Sequence, residues 1–139
     1  MARVQYFTES ITFKVPKPRK TSAWLELAAK REKAYIRSLT YIFCNDSYLL
    51  KINQEYLKHD TYTDIITFDY SDGPALEGEI YISVERVKEN AAKFKVDFEN
   101  ELARVMVHGL LHLAGYKDKG KAQKALMRKK EEAYLSLLK

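Results

Sequence analysis

Apolar residues in this chain recur at two spacings, near two and near 3.6 residues, and the switches between them divide it into elements. Val4-Gln5-Tyr6-Phe7 and Ile11-Thr12-Phe13-Lys14-Val15 have strand composition, and Pro16 and Pro18 end the second of them. Thr21 or Ser22 caps a helix whose apolar stripe includes Trp24, Leu25, Leu27, Ala28, Ala34, Tyr35 and Leu39. Tyr41-Ile42-Phe43-Cys44 is a short apolar run and reads as a buried strand. Asn45, Asp46 and Ser47 are all good caps for a helix from Tyr48 to about Lys58, with Leu49, Ile52, Tyr56 and Leu57 at helical spacing. Residues 59–63 form a polar loop. Asp64 to Tyr70 and Gly78 to Ser83 are strands, antiparallel across the turn cluster Ser71-Asp72-Gly73-Pro74. Ser83 caps a helix from Val84 to about Lys95, with Val87, Ala91 and Phe94 facing inward. Asp97 caps a longer helix that runs to Ala114, and a last helix starts near Lys121 with Ala125, Leu126, Tyr134, Leu135 and Leu138 as its stripe. Four or so early strands followed by closing helices predict an α+β domain, a sheet covered by helices.

Length and composition sharpen this only slightly. The chain has 139 residues, 46% of them hydrophobic and 31% charged, which suits one soluble domain over 1–139. No signal peptide or membrane span is expected, and the single cysteine, Cys44, excludes an intrachain disulfide. A cytoplasmic protein is expected. The net charge of +5 favours anionic partners such as nucleic acid without naming one.

The chemistry concentrates in the segment from His108 to Asp118. His108 and His112 lie four residues apart in a helical apolar segment, so both imidazoles project from one face. Gly115 is placed to end the helix in the left-handed conformation, after which the chain can return Asp118 as a third ligand. Three protein ligands with one open position suit a catalytic zinc ion, although nickel, iron and manganese also fit two imidazoles and a carboxylate. Gly109 occupies the position where H-E-x-x-H proteases carry their general-base glutamate, which argues against proteolysis but not against hydrolysis.

This segment closely resembles the H-G-x-L-H-L-x-G-Y-D-H signature of the YbeY family of rRNA-maturation metalloendoribonucleases. Three further blocks resemble that family in the same order: Asn53-Gln54-Glu55-Tyr56, the stretch from Asp60 through Thr63-Asp64-Ile65-Ile66-Thr67-Phe68, and Gly78-Glu79-Ile80-Tyr81-Ile82-Ser83. The likeness covers roughly residues 40 to 135. It implies a small mixed four-stranded sheet covered by about five helices, with the metal site at the end of a long helix in the C-terminal half. It also implies one zinc ion on His108, His112 and Asp118, the last standing where the family has its third histidine. Lys117 replaces the aspartate before it, and Leu57 replaces the family's arginine after the N-x-x-Y tyrosine.

The function so implied is a metal-dependent, single-strand-specific endoribonuclease in rRNA maturation and ribosome quality control. Its partners would be rRNA and ribosomal components, with no membrane. Lys58, His59 and Lys117 are candidate RNA contacts, and Lys119, Lys121, Lys124 and Arg128 add charge that steers the backbone. The sequence identifies no general base. Two rival readings are a non-catalytic ribosome-assembly or RNA-binding factor and a metal hydrolase acting on a non-RNA substrate.

Overall fold

The computed structural model describes residues 3–58 and 62–138. Strand β1 (Val4–Thr8) leads through a long connection to helix α1 (Pro18–Arg31), followed by β2 (Tyr35–Cys44) and α2 (Asp46–Tyr56). Then come β3 (Ile65–Asp69), β4 (Ala75–Ser83), α3 (Val84–Phe94), α4 (Phe98–Leu113) and α5 (Lys121–Leu135). The sheet order is β1-β2-β4-β3. The first three strands in that order run parallel, and β3 pairs antiparallel with β4 at one edge. The architecture is the expected α+β mixed sheet of four strands with five helices among the described residues.

The first third of the chain corrects the expectation. Ile11, Phe13 and Val15 alternate inward as foreseen and pack on the core, yet the segment joins no strand ladder. Phe13 instead rests on Phe43 and Phe98, with ring centroids 5.0 and 6.0 Å away. Pro18 does not end a strand; it opens α1, where a fixed φ and a missing N–H cost nothing. The N-cap is Lys17, and Thr21 instead bonds back to the Pro16 carbonyl at 3.0 Å.

The larger correction is β2. Helix α1 stops at Arg31, and Lys33, with φ +60°, turns the chain into a ten-residue strand that takes in Ala34's neighbours Tyr35 to Leu39. The register shifts between Ile36 and Ser38, so the buried positions at the start of β2 are 36 and 39, followed by the continuous buried run 41–44. A bulge places two inward residues three apart, a spacing that imitates a helix turn in the sequence. Strand β4 likewise starts earlier than expected, at Ala75.

Helix α4 lies against the sheet and carries the site. Tyr41 is fully buried on β2 and donates its phenol O–H to the Met106 carbonyl at 2.7 Å, fixing the helix axially. Leu102, Met106, Leu110 and Leu111 are buried, each contributing about 1.5–3 kcal/mol of transfer free energy. Gly109 faces the sheet. A Cβ there would stand 2.7 Å from Ile80 Cδ1, so the absence of a side chain sets how closely α4 approaches β4. Gly78 allows a matching approach, since a Cβ at that point would lie 2.6 Å from the Phe68 carbonyl oxygen. On the other side α4 packs against α3 and α5.

Candidate metal centre

The C-terminal end of α4 aims both histidines out of the core toward the β3 edge. A Schellman motif closes the helix: Gly115, at φ +105°, donates to the His112 carbonyl, and Tyr116 donates to the Leu111 carbonyl. The reversal returns Asp118 over the imidazoles. His108 Nε2 and His112 Nε2 are 3.0 Å apart, and Asp118 Oδ2 stands 3.3 Å from the first and 3.6 Å from the second. Ligands on a tetrahedral zinc ion with bonds of about 2.0–2.1 Å would lie about 3.3 Å apart. The donor triangle therefore fits one small divalent ion, and it is the one such cluster of three found among the described residues.

Both rings are held by their other nitrogen. His108 Nδ1 meets Glu131 Oε2 at 2.6 Å, and His112 Nδ1 meets the Tyr116 carbonyl oxygen at 3.0 Å. Since neither acceptor can donate, each Nδ1 carries a proton, and in the neutral ring the Nε2 lone pair is directed into the triangle. Glu131 is itself buried on α5 and takes a second bond from Arg104 Nη1 at 3.1 Å. Arg104 also reaches Glu132 at 2.7 Å and Glu101 at 3.6 Å, so its guanidinium is fully engaged by carboxylates.

These contacts move the two histidines in opposite directions. Burial lowers the pKa of His108, but the Glu131 hydrogen bond and charge, with Asp118 and Asp64, outweigh it and raise the pKa above 6.5. For His112, burial and the neighbouring His108 charge prevail over Asp118, and the pKa falls. Asp64 sits near the start of β3 and lines the same cleft, its carboxyl raised chiefly by burial.

The triangle lies in an open cleft of about 830 Å³ between β3, α4, α5 and the loop after α4. Lys117, Lys124 and Arg128 line it, as does Leu57. Lys58 is exposed, with φ +55°, and stands outside the lining, as do Lys119 and Lys121. His59, the remaining candidate RNA contact, lies outside the described residues.

Glu131, Arg104 and Glu101 did not emerge from the sequence. One signal was there for Glu131: it sits four residues after Met127 and four before Leu135, on the stripe that α5 actually buries. Of the expected stripe, Ala125 and Leu126 are exposed, while Tyr134 and Leu135 are buried as foreseen.

The sequence profile of the endoribonuclease YbeY family matches residues 6–139. The chain belongs to the YbeY family. Endoribonuclease YbeY of Flavobacterium psychrophilum is 51% identical over 131 residues, 94% of each chain. The namesake from Christiangramia forsetii is 48% identical over 134 residues, covering 96% of this chain and 93% of its own. Among solved structures, a Thermotoga maritima protein determined in solution superposes with a TM-score of 0.68 at 28% identity, over 97% of this chain and 88% of that one. Within the YbeY frame, Gly109 is explained by the sheet contact alone, because a glutamate there would have to displace Ile80.

Proposed function

We propose that this chain is a metal-dependent endoribonuclease that cuts single-stranded RNA in rRNA maturation and ribosome quality control. It would work in the cytoplasm as one domain over 1–139, holding one zinc ion on His108, His112 and Asp118. The observation that carries this reading is the donor triangle in an open, basic-rimmed cleft of a YbeY-family chain. The absence of any membrane-crossing helix among the described residues is compatible with it.

When bound, zinc supplies Lewis acidity and positive charge at a phosphoryl oxygen. The protein does the rest. Lys117, Lys124 and Arg128 draw the RNA backbone into the cleft. Glu131 and the Tyr116 carbonyl keep both Nδ1 protons in place, so the two Nε2 atoms stay aimed at the ion. Asp64 and Glu101 both line the cleft with carboxyl pKa values raised by burial, and Asp64, which is not paired with Arg104, is the candidate to accept a proton there.

A second reading, an RNA-binding assembly factor without robust catalysis, is favoured by Leu57, an apolar side chain lining the cleft where the family carries arginine. The two separate on one assay. Zinc-loaded protein should cleave a single-stranded rRNA fragment, and His108→Ala should lower the rate on the order of 10²-fold or more. Intact RNA after incubation with fully zinc-loaded wild type would leave only the binding role.

A further inference from the structure

The carboxylate of Glu32, at the C-cap of α1, collects three side-chain donors from distant parts of the chain. Tyr116 Oη donates to Oε1 at 2.6 Å, Lys130 Nζ to Oε2 at 3.1 Å, and Tyr134 Oη also to Oε2. Only 10% of the Glu32 side chain is exposed. An α1–α5 brace would need only the α5 donors, Lys130 and Tyr134. The third, Tyr116, belongs to the loop that shapes the metal corner. Its phenol is held by Glu32, its N–H by the Leu111 carbonyl, and its own carbonyl holds His112 Nδ1. Lys130 Nζ also stands 5.6 Å from the centre of the Tyr116 ring. Asp118 follows two residues later.

We propose that Glu32 is a positioning residue for the metal centre, fixing through Tyr116 both the His112 tautomer and the loop that presents Asp118. The inference rests on the metal-site reading above. Burial would raise the Glu32 pKa, but the bonds from Tyr116, Tyr134 and Lys130 bring it below 4.5, so the acceptor is an anion at neutral pH and its hydrogen bonds are charge-assisted. The Tyr116 carbonyl can serve His112 only while the backbone at 116 keeps its orientation. The Schellman bonds fix the start of the turn, and the Glu32 contact fixes the ring that follows it.

The test measures zinc affinity by chelator competition in wild type, Glu32→Ala, Tyr116→Phe and the double variant. Ring ¹⁵N shifts of His112 are recorded on the same ion-free proteins. Tyr116→Phe removes one oxygen and serves if Glu32→Ala does not fold. Each single variant should weaken zinc binding about tenfold, as loss of an outer contact to a metal ligand does. The double variant should be no weaker than the poorer single one, because the residues act in series. His112 should change from one tautomer to a mixture. Variants that melt earlier but keep wild-type zinc affinity and one His112 tautomer would show that Glu32 only braces α1 against α5, and would overturn the inference. Independent, additive losses would overturn it too. Failure of wild type to bind zinc would defeat the metal reading, and the inference with it.

Discussion

At the scale of single residues, the metal corner depends on two imidazoles that share a face but whose pKa values move in opposite directions. Burial lowers His108 but Glu131 stabilises its cation and raises it above 6.5, while burial and then the His108 charge lower His112. In the ion-free protein His108 Nε2, the atom a metal must occupy, therefore keeps its proton to higher pH than an ordinary imidazole does. The group has a raised folded pKa, so its contribution to stability is full below about 6.5 and is lost as pH rises through the higher folded value. Metal binding works against that proton. Apparent zinc affinity should rise with pH through 6.5 and above, with proton release on binding greatest below the raised His108 pKa. Calorimetry in buffers of different ionisation enthalpy measures the release directly. A binding enthalpy independent of the buffer at pH 6.5 would contradict the arrangement.

At the scale of elements, the site depends on how α4 is seated, and Gly109 sets the seating. Replacing glycine by alanine in an exposed helix gains up to about 1 kcal/mol. Here the added methyl would lie 2.7 Å from Ile80 Cδ1 and 3.2 Å from Ile65 Cδ1, and Ile80 is fully buried. Overpacking of that kind costs about 1–3 kcal/mol, so Gly109→Ala should destabilise by about 1 kcal/mol, read as a lower urea midpoint with unchanged slope. A higher midpoint would mean that α4 does not rest on β4 as described. The same helix was the most legible element in the sequence. Its apolar period, the glycine stop at 115 and the histidine pair are local signals, and the structure keeps all three. What remained hidden was non-local. The bulge in β2 gives a strand the spacing of a helix, and no glycine or proline marks the turn at Lys33. Glu131 and Glu32 look like surface charges until α5 and α1 are docked beside α4.

At the scale of the whole molecule, the excess of positive charge matters only where it is not already matched. Arg104 lines the cleft but is engaged by Glu101, Glu131 and Glu132, while Arg86 is paired with Asp46 and Glu89 and Lys130 with Glu32. Lys124 and Arg128 are one turn apart on α5, line the same cleft and form no ion pair among the described residues. With Lys117, they are the cations placed to neutralise backbone phosphates. Each phosphate contact on a single strand contributes about 0.7 to the salt dependence of binding, so removing two should flatten the slope by about 1.4. Lys124→Ala with Arg128→Ala should therefore weaken single-stranded RNA binding, most at low salt, and leave zinc affinity unchanged. Lys20→Ala with Lys129→Ala removes the same net charge from positions outside the cleft and should leave the slope near wild type. Binding titrations across a salt series compare the two pairs. Equal losses from both would assign RNA attraction to overall charge, and the cleft's basic rim would have no separate role. A loss confined to the α5 pair would place the path of the strand along α5, over the edge where His108 and Asp118 meet.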